Sequence, residues 1–552
     1  MPITPYTGPF GEAELRHLLR RALFGCSPAD MAHFSGMSLN QVVDALLTYT
    51  TQPAPPIKAY TEDVGNGPDP SAVDPDVPFG STWVNTVRDT NAAVDPTSPR
   101  ILSFMFWRTG LMVHQERNLR EKLTLFWFNH MPVQVFTVFD SELLYQYDML
   151  MRTHSMGNFR QLIEDVTRHG AMLDFLNGRY NTVASPDENY ARELFELFTL
   201  GVGSGYTQDD VQSAARVLTG WKIRRQLNGQ PVIAYTAFVP ADHDTGNKTF
   251  SAFFNNTVIQ GVAGATGGQD ELTALLDMIF AKEEVSRFIV RQLYRWFVHG
   301  EIDAATEADV IEPLAQLFRD NASAPDQMRT VVHALLTSAH FFGSDVRNCM
   351  VRSPADLLVG HLRSLGMPFP TAAQFEAQYS MWADVYWAVG YAGQDLCAPP
   401  NVAGWVAYYQ FPQFDNLWID TALLPNRTGV LSWWTYGGPA TDGTPYQTQS
   451  QNLEMSVDFV ALVGQFADPA DPNALVDEAC KLLYGPGVSQ TVKDQLKTDY
   501  LLQGQQSDYY WTSAYNLYII DPNNADPAAQ MVPDILRWMF GEMINAAEIH
   551  LH

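Results

Sequence analysis

Six side chains carry the chemistry that this sequence could perform, and two of them lie in its most informative stretch, Asn189 to Trp221 (NYARELFELFTLGVGSGYTQDDVQSAARVLTGW). There Glu193 and Glu196 stand three residues apart. On a helix of about 3.6 residues per turn they share one arc with Asn189 and Arg192, while Tyr190, Leu194, Leu197 and Phe198 occupy the other. Carboxylates at that spacing can reach one cation, as in carboxylate-bridged bundles, or act as acid and base. The same stretch also contains Glu188, Arg192 and Glu196, an i, i+4 ladder of alternating charge of the kind that water solvates. Spacing alone leaves both readings open.

His130 closes an aromatic helix, and His154 closes another just before the glycine of HSMGNFR. Together with Glu193 and Glu196 they would make a His/carboxylate set suited to a divalent metal. Each also suits the last turn of a helix, where imidazole caps carbonyls without any metal. His243 and Asp244 fall in the loop Pro240 to Phe250, PADHDTGNKTF, where Asp242, Asn247 and Lys248 crowd around Gly246. Oxygen side chains around a glycine suit a hard cation, but the EF-hand spacing is absent and the same residues are common turn formers. Loops on a rigid scaffold are where function concentrates, so His243 and Asp244 are expected as catalytic groups closing a pocket over the central helices.

A further loop, Ala398 to Trp434, carries Trp405, Tyr408, Tyr409, Phe411, Phe414, Trp418, Trp433 and Trp434 among glycines and prolines. Such aromatics could stack on a ligand, anchor a protein interface, or pin the loop to the body of the protein.

The elements that must position these groups read as mostly α. Leu15, Leu18, Leu19 and Phe24 recur near helical spacing in Glu12 to Phe24, and Gly25 ends the run. Ser98 before Pro99 reads as a cap, and two long helices are expected from there to His130. Others follow near Asp140 to His154, Asn158 to Leu176, Asp187 to Gly201 and Thr207 to Trp221. Between Lys222 and Ile259, alternation in PVIAYTAF and the turn dipeptide Asn228-Gly229 predict a small β-hairpin. Helices resume at Asp270 to Ala281, Glu284 to His299, Thr306 to Arg319, Pro325 to Phe342 and Pro354 to Leu365. The expected fold is a set of bundle-like helical lobes with one small hairpin and long irregular loops. Its divisions are 1–50, a Pro/Gly/Asp-rich loop at 51–97, a central region at 98–259, a second lobe at 260–427 and a C-terminal helical region at 428–552.

Composition narrows the function classes. The 34 Lys and Arg against 61 Asp and Glu give a formal charge of −27, a field that repels phosphate backbones and anionic lipid, so nucleic acid and membrane surfaces are poor partners. The four cysteines, Cys26, Cys349, Cys397 and Cys480, form no metal-like or disulfide-like spacing and are expected as free thiols. No leader and no apolar run of about 18 residues is present, which predicts a cytoplasmic protein, or an exported one if a leader has been removed. There is no H-E-x-x-H, no phosphate-binding loop, no dinucleotide fingerprint and no G-x-S-x-G elbow.

Five segments in order, LRHLLRRALFGCSPAD, EKLTLFWFNHM, HSMGNFR, the Asn189 to Trp221 block, and APPNVAGW preceded by SPADLLVGHLRSLG, resemble the bacterial domain-of-unknown-function 1800 family. The resemblance runs from about Leu15 to Leu424. It implies a mostly helical bacterial protein, often encoded beside a member of the domain-of-unknown-function 1501 family, and implies no particular reaction. Members commonly read Phe-Trp-His-Asn-His where this chain has Phe126-Trp127-Phe128-Asn129-His130, so a ligand role for that first histidine cannot apply here. Two functions follow as expectations. One is a metal-dependent enzyme, with Glu193, Glu196, His130 and His154 as ligands and His243 and Asp244 as catalytic partners. The other is a non-catalytic binding or assembly protein that uses the aromatic loop and pairs with a neighbouring gene product.

Overall fold

A computed structural model describes residues 3–63, 68–69, 71–89, 94–437, 446–447, 454–485 and 487–552. Parts of the expected 51–97 loop and of the C-terminal region lie outside the described residues. The protein is mostly α-helical, and among the described residues every sheet has two strands.

Helix α1, Glu12–Ala22, buries Leu15, Leu18, Leu19 and Ala22 on one face. Gly25 follows it at φ +76°, and a Cβ there would lie 2.4 Å from the Gly360 carbonyl oxygen, so only glycine allows this approach. Helix α2, Thr97–Val113, starts one residue before the expected Ser98 cap. The capping oxygen is supplied by Asp95, whose carboxylate accepts from the Thr97 N–H at 2.9 Å and hydroxyl at 2.6 Å. Helix α3, Arg120–His130, is buried on all sides. With α2 and helix α4, Ser141–His154, it encloses a set of buried ions: Arg108 on Asp148 at 2.8 Å, and Arg152 on Asp148 at 2.6 Å and Glu121 at 2.7 Å. Each charge is paired, as burial requires.

Helix α5, Phe159–Arg168, leads to α6, Asn189–Glu193, which passes directly into a π turn over Leu194–Thr199. The expected regular helix over 187–201 is therefore shorter and wider at its end. The Leu200 N–H reaches back five residues to the Phe195 carbonyl, and the Thr199 hydroxyl holds the Leu194 carbonyl. Helix α7, Gln208–Val217, begins at a Thr207/Asp210 capping box. Strands β1, Trp221–Leu227, and β2, Gln230–Phe238, form the expected hairpin, with Trp221 opposite Phe238 and a bulge between Arg224 and Gln226. Asn228 at φ 51° and Gly229 at φ 77° supply the left-handed turn this connection needs.

The second half adds α8, Gly267–Phe280, α9, Glu283–Phe297, α10, Pro354–Ser364, capped by Ser353, α11, Phe375–Tyr391, and α12, Leu423–Ser432. A bridge between Val351 and Leu551 ties the end of the chain to the approach to α10. Buried apolar residues from Leu15 to Ile549 join one core. All four cysteines are free, and Cys26, Cys397 and Cys480 are buried. Among the described residues no helix is long and apolar enough to cross a membrane.

Candidate functional site

Glu193 and Glu196 remain neighbours across the junction of α6 and the π turn, both half-buried. Burial first, and then the charge of Glu196, raises the Glu193 carboxyl above the ordinary glutamate value, with Arg192 opposing. Arg192 itself turns to Glu188 at 3.0 Å and to Gln208 at 2.8 Å. The Tyr206 phenol, raised by its own burial, donates to the Glu196 carboxylate. The local arrangement is therefore a carboxylate pair with one hydroxyl beside it.

The structure does not add the two expected histidines to this pair as a metal cluster. His130 is buried, its Nε2 lies 3.0 Å from the Phe198 carbonyl oxygen, and its ring is surrounded by Phe126, Trp127, Phe159, Phe198 and Phe288. Burial lowers its pKa to about 4, so it is a neutral core imidazole. His154 is paired with Asp165, Nε2 to Oδ2, at 3.0 Å. Among the described residues no three His, Cys, Asp or Glu side chains are grouped as a metal ion would need.

His243 and Asp244 meet partners from other elements, Thr219, Glu271 and Arg216. His243 is buried, with Nε2 at 3.0 Å from Glu271 and Nδ1 at 3.1 Å from the Thr219 hydroxyl and 3.0 Å from its carbonyl. Glu271, on α8, also accepts from Lys248 Nζ at 2.5 Å and from the Val262 N–H at 2.7 Å. Burial alone would raise this carboxyl, but the hydrogen bonds from His243, Lys248 and Val262 outweigh it and hold Glu271 below the ordinary value. Asp244 is clamped by Arg216 at 2.7 and 3.2 Å and accepts from the Gly246 N–H at 2.8 Å. Both ring nitrogens of His243 are thus engaged, and the loop is locked to α7 and α8.

The aromatic loop folds back on the protein. Trp405, Tyr408, Phe414, Trp418 and Trp434 are buried, Tyr409 and Trp433 half-buried, and Phe411 alone of the eight is largely exposed, at 74%. Asn129 anchors this loop to α3 by accepting from the Trp405 N–H at 2.9 Å, and a Cβ on Gly404 would lie 2.4 Å from the Asn129 carbonyl oxygen. Phe128 lies under the Arg108 guanidinium at 4.2 Å from its ring centre. A protonated imidazole there would meet a cation, whereas the phenyl face attracts it.

One cleft combines apolar walls with acidic groups. It measures about 510 Å³ and lies between α2, which presents Pro99, Leu102 and Phe106, and α11, which presents Tyr379 and Trp387. Glu376 and Asp384 line the same cleft. The Tyr60 hydroxyl is occupied by Asp74 at 2.7 Å and the Tyr379 hydroxyl by the Ile57 N–H at 3.0 Å, so these residues offer the cleft mainly their rings. Trp387 stands at its mouth, 51% exposed, its ring centre 6.3 Å from that of Phe106. The sequence predicts no element between Leu365 and Gly393, although α11 carries a buried stripe of Met381, Trp382, Val385, Tyr386 and Val389. The signal available was Glu376, Ser380, Asp384 and Trp387 at spacings of four, four and three, one face of a helix.

These features define a mostly helical protein with a locked His–Glu–Lys loop and an aromatic, acidic cleft. The model of the family described as "Protein of unknown function (DUF1800)" matches residues 17–525, and the chain belongs to that family. No curated protein matches the chain, and no solved structure does.

Proposed function

We propose that this chain is a non-catalytic binding protein that docks a partner in the cleft between α2 and α11. The observation that carries this reading is the cleft itself: aromatic walls, Trp387 exposed at the mouth, and Glu376 and Asp384 as its charged lining groups. About 510 Å³ lies in the range of sites that bury a ligand or an anchoring side chain. With two carboxylates in the lining and a formal charge of −27 on the whole chain, the complementary partner is basic, and a lysine or arginine beside an apolar residue fits the combination of charge and rings. Tyr391, exposed one turn beyond Trp387, extends the surface past the cleft, which favours a protein segment over a small solute. A product of the domain-of-unknown-function 1501 family, which members of this family often have as a gene neighbour, is the first candidate.

The test is biolayer interferometry on such a neighbour and on peptides pairing Lys or Arg with an aromatic residue. Trp387→Ala and Glu376→Gln should each weaken binding about tenfold, or about 1.4 kcal/mol, at an unchanged unfolding temperature. A partner that binds both variants as it binds the original protein would rule the cleft out.

A second reading rests on the raised Glu193 carboxyl, since a divalent cation between Glu193 and Glu196 would relieve their repulsion and leave an acid–base site beside Tyr206. Elemental analysis of chelator-free protein tests it: a metal lost equally little on Glu193→Gln/Glu196→Gln substitution is not held there.

A further inference from the structure

Five cations are buried where α1, α10, α12 and the start of α3 meet. Arg20 and Arg21 come from α1, Lys122 from α3, Arg352 from the approach to α10 and Arg427 from α12, and none is more than 7% exposed. The carboxylates that bear on them are Asp356 and Asp415. Asp356 pairs with Lys122 and accepts from the Ser353 hydroxyl at 2.9 Å, and Asp415 accepts from the Val351 N–H at 2.7 Å. Among the described residues three positive charges are left without a carboxylate, and a carboxylate at His552 would still leave two.

The guanidinium ends are spent on carbonyls, which carry no net charge. Arg20 donates to Leu483 at 3.1 Å and Leu551 at 2.8 Å, Arg352 to Asp356 at 2.6 Å and Ile549 at 3.3 Å, and Arg427 to Arg352 at 2.7 Å and Trp418 at 3.3 Å. Burial, and after it the charge of Arg352, pushes His361 down to about 3 and Arg427 down to about 9, as expected of groups in an uncompensated positive field.

Among the described residues, most of the side-chain atoms left over here are donors: the Nε atoms of Arg20, Arg21, Arg352 and Arg427, the Gln394 amide nitrogen and the Trp296 indole nitrogen are buried without a hydrogen-bond partner, beside the Nδ1 atoms of His361, His550 and His552. Gln394 belongs to this place because its amide oxygen accepts from the Ala355 N–H at 2.9 Å, and Trp296 because its ring centre lies 6.0 Å from Lys122 Nζ. The first turn of α10, an 11-residue helix, adds its positive end. Buried donors and buried charge each cost several kcal/mol when unmet, and the ligand complementary to both is small, anionic and rich in acceptors.

We propose that the chain encloses a resident oxyanion at this meeting point, a phosphate, a sulfate or the carboxylate of a small molecule. It shares no residue with the α2–α11 cleft. Because the cations are so little exposed, the anion is trapped as the protein folds and survives purification.

Protein carried through chloride buffers free of phosphate and sulfate is denatured, and the released ions are quantified by ion chromatography, with mass spectrometry for organic acids. About one equivalent per chain is expected from the original protein, and at least tenfold less from Arg352→Gln and Arg427→Gln. The ion recovered separates the three sources. Less than about a tenth of an equivalent from the original protein overturns the proposal, and so does undiminished retention by both variants, which would put the anion elsewhere. Should the variants fail to fold, the amount released by the original protein decides.

Discussion

Lys248→Met isolates one buried ion pair and predicts both a size and a pH signature. Lys248 and Glu271 have side chains that are 0% exposed and 2.5 Å apart, Nζ to Oε2, and Lys248 also donates to the Asp244 carbonyl. Removing one partner of a buried pair costs about 3–5 kcal/mol. Glu271 would keep His243 at 3.0 Å and the Val262 N–H at 2.7 Å, which places the loss near the lower end, about 3 kcal/mol. The pH dependence follows from Glu271. In the original protein its folded pKa is depressed, so its contribution is present above the unfolded value of about 4.3 and is lost as pH falls through the folded value. Without Lys248, burial dominates and the folded pKa rises, so the variant loses stability as pH climbs above about 4.3, by up to about 1.4 kcal/mol per pH unit, until Glu271 ionises. The gap between the two proteins should widen from pH 4.5 to pH 8 by about 2 kcal/mol. Urea unfolding followed by circular dichroism at the two pH values measures it. The Lys248→Met/Glu271→Gln double variant should lose the pH dependence. A gap below about 1 kcal/mol, or one equal at both pH values, would refute the account of this network as paired buried charge.

Acid sensitivity should come from buried neutral histidines. Burial lowers His130, His169 and His550 to about 4, and His17 and His361 to about 3. Between about pH 6.5 and 4 the unfolded chain takes protons that the folded one refuses, so stability is complete above about 6.5 and falls below it. The unfolding temperature should drop steadily from pH 7 to 4.5, and a flat profile would contradict the burial of these rings. Under denaturing conditions four thiols should react with Ellman's reagent. In the native protein the half-buried Cys349 should react first, because burial pushes Cys26, Cys397 and Cys480 up to about 12. Equal rates for all four would show that the core around them opens.

The parts of the fold that were legible in the sequence are those whose signal is local. Asn228-Gly229 specifies its turn by backbone sterics, and Leu15, Leu18 and Leu19 specify a buried face by period alone. Helix α11 is harder to read because Ala383, Trp387, Ala388 and Tyr391 are apolar on the arc opposite its buried Met381, Trp382, Val385 and Tyr386, which weakens the contrast that period-based reading needs. The candidate site suffered from distance along the chain. His243 lies 28 residues from Glu271 and Asn129 lies 276 from Trp405, so neither partnership has a spacing signature. His130 shows the opposite failure: Phe126, Trp127 and Phe128 just before it were a local warning that the ring would be buried among aromatics.

The bond from Arg20 to the Leu551 carbonyl spans 531 residues, and it sets a clock. At about 5–20 residues per second, a ribosome needs about half a minute to two minutes to travel that far. Throughout that interval α1 has been made but lacks the strap it finally grips, so its basic face waits in an unfinished nascent chain. Folding of this protein can begin at its N-terminal end, but this contact can close only once Leu551 has left the ribosome.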